Sequence, residues 1–123
     1  KKKILTERVK NIIIGIIHDT DGIHLKTNFS NIIQKETGTE YNTVSVIFSN
    51  LEGITIEQYI ILQRIERAKE LLIYDELTLG EIALMLGYSS LQHLSSQFKK
   101  VTGLTPTSFK SIKESKRLAL DML

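Results

Sequence analysis

Apolar residues recur three and four positions apart along most of the chain, which is the spacing of amphipathic helices. Thr6 can cap a first helix that runs to about His18, and five residues form its apolar face: Val9, Ile12, Ile13, Ile16 and Ile17. Two shorter helices are predicted at 29–35 and 41–51, with a turn around Gly38 between them. Their inward-facing residues are Phe29, Ile32 and Ile33 in the first and Val44, Ile47, Phe48 and Leu51 in the second.

The segment 78–109 carries the most detailed pattern. It predicts a short helix, which Gly87 can end because glycine tolerates a positive φ, and a second helix that Ser89 or Ser90 can cap. The apolar residues of these two helices are Ile82, Ala83 and Leu86, then Leu94, Phe98 and Val101. Two such helices, a tight turn and a small residue at the crossing are what a helix-turn-helix requires. Taken alone, the segment fits a solvated helix pair equally well.

The same pattern occurs twice, with a shift of fifty positions. The matching residues are Phe48, Gly53, Ile54, Thr55 and Tyr59 in the first copy and Phe98, Gly103, Leu104, Thr105 and Phe109 in the second. Each copy closes with a glycine, one apolar residue and a threonine that can cap a further helix. Gln58 completes a capping box in the first copy, and Pro106 occupies the first helical position in the second. We therefore predict a structural unit that is built twice.

Between the copies, residues 58–73 form a helical pattern that neither glycine nor proline interrupts. Its apolar face consists of Ile61, Ile65, Ala68 and Leu72, and its outward or semi-exposed charges are Arg64, Glu66, Arg67, Lys69 and Glu70. Such a helix would be a stiff connection. The chain is therefore predicted to be all-α, with about seven helices and a homeodomain-like unit in duplicate: two helix-turn-helix subdomains, 6–56 and 77–117, joined by a long linker helix at 57–74.

Composition argues against several classes of function. The sequence contains no cysteine, which excludes a disulfide framework, a thiolate zinc site and a cysteine nucleophile. No apolar run approaches the ~20 residues that span a membrane. The three histidines show no nucleophile–base spacing, and there is no phosphate-binding loop or nucleotide fingerprint. We therefore predict neither an enzyme nor a membrane protein.

A polar loop at 19–28 contains or adjoins four metal-capable residues: His18, Asp19, Asp21 and His24. A calcium loop would need acidic ligands beyond its glycine and a closing glutamate at about the twelfth position. Counted from Asp19, that position is Ser30. We expect no metal and no cofactor.

The net charge is only +2, but the basic residues are unevenly distributed. Residues 92–117 contain one acidic residue, Glu114, and six basic residues: Lys99, Lys100, Lys110, Lys113, Lys116 and Arg117. Such a local excess is the electrostatic footprint expected for a phosphate-backbone partner. Two recognition helices on one stiff connection could address successive major-groove segments, which lie about 34 Å apart.

Two segments carry a family resemblance: IERAKELL at 65–72 and LTLGEIALMLGYSSLQHLSSQFKKVTGLTPTSF at 77–109. They resemble the AraC/XylS family of bacterial transcription regulators, and the similarity extends over about 25–113. The resemblance implies a seven-helix DNA-binding domain whose third and sixth helices contact bases. It also implies double-stranded DNA and RNA polymerase as partners, gene activation in the cytoplasm and, in many relatives, an attached sensing or dimerising domain. The chain begins without methionine, so we expect it to be part of a longer protein.

Carried over from the family by position, nine residues are expected to contact bases: Asn42, Ser45, Val46, Ser49, Gln92, His93, Ser95, Ser96 and Lys99. Five others are expected to contact phosphates: Lys100, Ser89, Ser90, Thr105 and Lys110. Asparagine and glutamine can address adenine, serine can donate or accept, and valine can touch a thymine methyl group. Basic side chains and helix N-termini can hold phosphates.

The first copy departs from the family pattern. It has Ile33 where the second has Ala83, it has Val46 where a basic or polar residue is usual, and no lysine pair follows Phe48. We therefore expect the second copy to supply most of the phosphate affinity. The alternative interpretation of these helix faces is a protein-interaction module that does not bind DNA.

Overall fold

The computed structural model describes residues 1–19 and 28–122. These residues form seven helices and no strand, which confirms the all-α prediction: α1 (Lys2–Ile17), α2 (Phe29–Thr37), α3 (Tyr41–Glu52), α4 (Ile56–Tyr74), α5 (Leu79–Met85), α6 (Leu91–Thr102) and α7 (Pro106–Asp121). Most of the metal-capable loop, including Asp21 and His24, lies outside the described residues. Among the described residues, histidine and acidic side chains do not form a cluster that could hold a metal ion. No described helix has the length and apolarity needed to cross a membrane.

The helices enclose two separate clusters of buried side chains. The first core consists of Val9, Ile13, Ile17, Phe29, Ile33, Val44, Phe48, Ile56 and Ile60. The second core consists of Ile65, Ala68, Leu71, Leu72, Ile82, Ala83, Leu86, Tyr88, Leu94, Phe98 and Phe109. Among the described helices, α4 alone contributes to both cores, with its N-terminal residues in the first and the rest in the second. It therefore fixes one core relative to the other.

Local interactions explain why α4 forms a single long helix. It begins at a capping box in which Thr55 Oγ1 accepts the Gln58 N–H at 3.0 Å and Gln58 Oε1 accepts the Thr55 N–H at 2.9 Å. It contains 19 residues and so spans about 28 Å at about 1.5 Å per residue. Two ion pairs at helical spacing support its surface, Lys69–Glu66 at 2.7 Å and Arg67–Glu70 at 3.8 Å.

The two copies of the sequence repeat have nearly the same geometry. Gly53 and Gly103 end α3 and α6 with φ values of 77° and 84°, as the predicted glycine stops require. The ring centroids of Phe48 and Tyr59 are 5.7 Å apart with an interplanar angle of 70°. Those of the second copy's ring pair, Phe98 and Phe109, are 5.5 Å apart at 71°. The repeat in the sequence therefore corresponds to a repeat of the same side-chain packing in the structure.

The limits of two helices differ from the sequence prediction. Thr6 is not the cap of α1, because the helix already begins at Lys2 and the buried Thr6 hydroxyl donates to the Lys2 carbonyl at 3.0 Å. α7 continues to Asp121 instead of ending near Arg117, since neither glycine nor proline stops it. Both differences are ones of extent, and the number of helices is as predicted.

Two apolar residues predicted to face inward are exposed. Leu51 is 51% exposed and Val101 is 38% exposed. They occupy equivalent positions in the repeat, three residues after the buried Phe48 and Phe98. The prediction is therefore wrong in the same way in both copies.

Tyr88 belongs to the second core although it lies in the turn between α5 and α6. It is almost completely buried, and its hydroxyl donates to Gln97 Oε1 at 2.5 Å. Burial raises the pKa of Tyr88 to about 12, an effect that the nearby Arg64 guanidinium opposes. A single tyrosine in a turn gives no periodic signal, so the sequence analysis did not place it in the core.

The contrast between Phe98 and Val101 can be tested by truncation. Phe98→Ala should lower the free energy of unfolding by about 3–5 kcal/mol, because it leaves a cavity in the second core. Val101→Ala, one turn away on the same helix, should cost less than about 1 kcal/mol. Urea denaturation measures both, and equal losses would show that Val101 is part of the core after all.

The raised pKa of Tyr88 should make the protein less stable at high pH. The unfolded chain releases the phenol proton near its ordinary pKa of about 10, whereas the folded protein holds that proton until about pH 12. The stabilising contribution is therefore complete below about pH 10 and is lost as the pH rises towards 12.

Tyr88→Phe removes this contribution and should show a shallower fall in unfolding free energy over the same pH range. Burial also raises the pKa of Tyr41 to about 12, so both proteins keep part of the fall. Identical slopes for wild type and Tyr88→Phe would contradict the assignment to Tyr88.

Candidate nucleic-acid interface

The outer face of α3 presents the four residues predicted to contact bases in the first copy. Asn42 and Val46 are exposed, and Ser45 and Ser49 are half-buried. The first turn of α3 is tied to α2, since the Tyr41 N–H donates to Gln34 Oε1 at 2.9 Å. The charged residue of α3, Glu52, pairs with Lys10 of α1 at 2.9 Å. This face therefore offers hydrogen-bonding and apolar groups but carries no cation.

α6 presents the five residues predicted to contact bases in the second copy. Gln92, His93, Ser96 and Lys99 are exposed, and Ser95 is half-buried. The start of the helix is fixed because Ser90 Oγ accepts the His93 N–H at 3.1 Å. The edge of the His93 imidazole packs against the Tyr88 ring with centroids 5.0 Å apart, and its Nδ1 lies 3.5 Å from Ser89 Oγ. Buried Tyr88 thus positions an exposed residue of the candidate interface.

The lysines predicted to contact phosphates differ in their surroundings. Lys99 and Lys100 are exposed in the last turn of α6, where the negative end of the helix dipole favours cations. Neither pairs with a carboxylate among the described residues. Lys110 instead forms an ion pair with Asp75 just beyond α4, and this contact raises the pKa of Lys110. Lys110 would have to leave Asp75 to bind a phosphate fully.

The three hydroxyl residues predicted to contact phosphates also differ. Ser90 and Thr105 are N-caps whose oxygens already accept the N–H groups of His93 and Ser108, whereas Ser89 is exposed. The first turns of α6 and α7 still carry N–H groups without an intrahelical partner. Those N–H groups, more than the capping hydroxyls, are suited to bind a phosphate oxygen.

An open groove of about 720 Å³ lies between the two copies. Its lining residues are Asn28, Phe29, Ser30, Tyr41, Glu57, Ile60, Ile61, Arg64, His93 and Gln97. The groove thus joins α6 to the starts of α2 and α3, so parts of both helix-turn-helix units border one surface. The sequence predicted neither the groove nor the position of Arg64 within it, because contacts between the copies leave no periodic pattern.

A family model described as a helix-turn-helix domain matches residues 33–112. The chain is 37% identical over 78 residues to the xylose operon regulatory protein of Escherichia coli, an alignment that covers 58% of this chain and 20% of that protein. The chain therefore spans about a fifth of the length of this relative.

Two solved structures show a similar fold. A transcriptional regulator with an AraC-type DNA-binding domain from Chromobacterium violaceum matches with a TM-score of 0.76 at 18% identity, over 89% of this chain and 91% of that one. The DNA-binding domain of AdpA, in complex with a target DNA, matches with a TM-score of 0.74 at 20% identity, over 91% and 95%. With the family match over 33–112, the chain belongs to the AraC/XylS family of helix-turn-helix transcriptional regulators.

Proposed function

We propose that this chain binds double-stranded DNA sequence-specifically, as the DNA-binding part of a bacterial transcription regulator. The observation that carries the proposal is that α3 and α6, equivalent helices of a duplicated helix-turn-helix, both keep their hydrogen-bonding faces accessible. The similar AdpA domain is in complex with a target DNA, which supports the same role for this fold here.

The side chains on the two faces suit base edges in the major groove. The amides of Asn42 and Gln92 can donate to N7 and accept from the N6 amino group of adenine, and the serines can pair with several bases. Val46 is 60% exposed, so part of its apolar side chain is in contact with water. Contact with a thymine methyl group would remove that apolar surface from water. These residues would supply sequence preference.

The two copies differ in charge, and this difference suggests different roles in DNA binding. Lys99 and Lys100 on α6 can neutralise phosphates, and each such contact releases counterions and makes binding depend on salt. α3 has no equivalent cation, and its Glu52 is paired with Lys10. The first copy would therefore add sequence-dependent contacts, while the second would supply most of the salt-dependent affinity.

A single polypeptide can reach two major-groove segments because α4 carries both copies. Its length of about 28 Å is comparable with the spacing of about 34 Å between successive major grooves on one side of a duplex. We retain the division into a first subdomain at 6–56, a linker helix at 57–74 and a second subdomain at 77–117. The site on DNA would then need no two-fold symmetry.

The proposed setting follows from the family. We propose that the protein acts in the bacterial cytoplasm, where the DNA lies, and that activation proceeds through contact with RNA polymerase. The relative described above is about five times as long as the region it shares with this chain, which supports an attached sensing or dimerising domain. We propose no catalytic role for the domain.

A second candidate is a helical protein-interaction module. It is favoured by exposed apolar side chains on α1, where Ile4 is 73% and Ile14 38% exposed. Selection of bound sequences from a random duplex pool separates the two candidates. DNA binding predicts an enriched motif that covers about two helical turns, whereas an interaction module predicts no enrichment.

The assignment of phosphate contacts can be tested with the double variant Lys99→Gln/Lys100→Gln. It should bind the selected duplex more weakly, and the slope of log K against log salt concentration should fall by about 1.8, the value for two lost phosphate contacts. Fluorescence anisotropy titrations at several salt concentrations measure both quantities.

Asn42→Ala serves as the matched comparison, because it removes a base contact without changing the charge. It should weaken binding to the selected duplex and leave non-specific binding and the salt slope close to wild type. If Asn42→Ala reduces non-specific binding more than the double lysine variant does, the assigned roles are wrong.

A further inference from the structure

Arg64 lies on α4 between the two cores and contacts an aromatic ring of each. Its guanidinium carbon is 5.7 Å from the ring centroid of Phe29, the first residue of α2, and 5.5 Å from that of Tyr88. Both rings are buried, so they hold the guanidinium in a defined place. Tyr88 is itself fixed by its hydrogen bond to Gln97 of α6.

Arg64 differs from the neighbouring cations of α4 because none of the described residues forms an ion pair with it. Arg67 pairs with Glu70 and Lys69 pairs with Glu66, whereas no carboxylate of the described residues lies within ion-pair distance of Arg64. Its Nε, like that of Arg67, is buried without a hydrogen-bond partner among the described residues. A partly buried cation without a partner is costly, and burial lowers the pKa of Arg64 accordingly.

Arg64 lines the groove between the copies. Asn28, Ser30, His93 and Gln97 line the same groove and carry hydrogen-bonding groups. Glu57, the acid of the groove lining, accepts the Tyr41 hydroxyl at 2.6 Å. It precedes Arg64 by seven residues, about 10 Å along the helix. The Arg64 end of the groove is therefore suited to an anion.

We propose that Arg64 binds a backbone phosphate of the DNA duplex, at the stretch between the two segments that α3 and α6 contact. This proposal rests on the proposed function. A duplex that engages both helices must carry its backbone past the groove that lies between them. The phosphate would supply the counter-ion that none of the described residues offers Arg64.

Arginine suits this position better than lysine. Its planar guanidinium can stack between two rings while its in-plane N–H groups point at an anion, and it can donate two parallel hydrogen bonds to one phosphate. The aromatic contacts then orient the donor before DNA arrives. A lysine would keep the charge but lose the stacking and the paired donors.

The test replaces single phosphates of the selected duplex with neutral methylphosphonates, one position at a time, between the two contacted segments. Wild type should lose roughly tenfold or more in affinity at one position, which is the loss of a charge-assisted hydrogen bond. Arg64→Met should bind the unmodified duplex with a similar loss, show no further loss at that position, and have a salt slope lower by about 0.9.

Lys69→Met is the matched control, since it removes a cation from the same helix that already pairs with Glu66. It should keep both the wild-type salt slope and the wild-type response to methylphosphonates. Circular dichroism checks that each variant is folded, and Arg64→Gln replaces Arg64→Met if the latter is not.

Two results would overturn the proposal while the proposed function stands. One is a wild-type protein that binds the selected duplex but tolerates every methylphosphonate between the segments. The other is an Arg64 variant that keeps the wild-type salt slope and position-specific sensitivity, which would make Arg64 a packing residue. A wild-type protein without sequence-dependent binding would overturn both proposals together.

Discussion

The structure depends on one constraint: α4 belongs to two hydrophobic cores at once. Ile56 and Ile60 are buried in the first core, and Ile65, Ala68 and Leu72 in the second. Because a helix of this length bends little without glycine or proline, the two cores, and the helices packed on them, keep a set relation. The contacts of the Arg64 guanidinium with the rings of Phe29 and Tyr88 add a side-chain link across the same junction.

The two copies share a skeleton and differ in electrostatics. The glycine stops and edge-to-face ring pairs have similar angles and distances in the two copies, and a threonine caps the following helix in each. The outer faces differ: α6 ends in two lysines that pair with no carboxylate of the described residues, whereas the acid that ends α3 is paired with α1. Under the proposed function, this difference would let one unit supply affinity for a charged backbone and the other supply sequence discrimination.

Features that depend on neighbours in the chain could be predicted from the sequence. Gly53, Gly103 and the cap of Thr55 follow from local backbone requirements, and the repeat follows from comparing the chain with itself. Burial of Tyr88 and the stacking of Arg64 depend on contacts between helices, which periodicity does not report. Leu51 and Val101 show the opposite error: their spacing is that of a core stripe, but both side chains are exposed. The helix faces of the candidate interface were predictable, whereas the groove between the copies was not.

The central claim is that α4 holds the two copies in a fixed position and orientation relative to each other. The most direct measurement is the affinity for duplexes in which the two contacted segments are moved apart by about five base pairs, half of a helical turn. The account predicts that this insertion removes the affinity contributed by the second segment, because the rotated segment no longer faces its helix. Affinity that is unchanged by the insertion would show that the two copies move independently and would contradict the account.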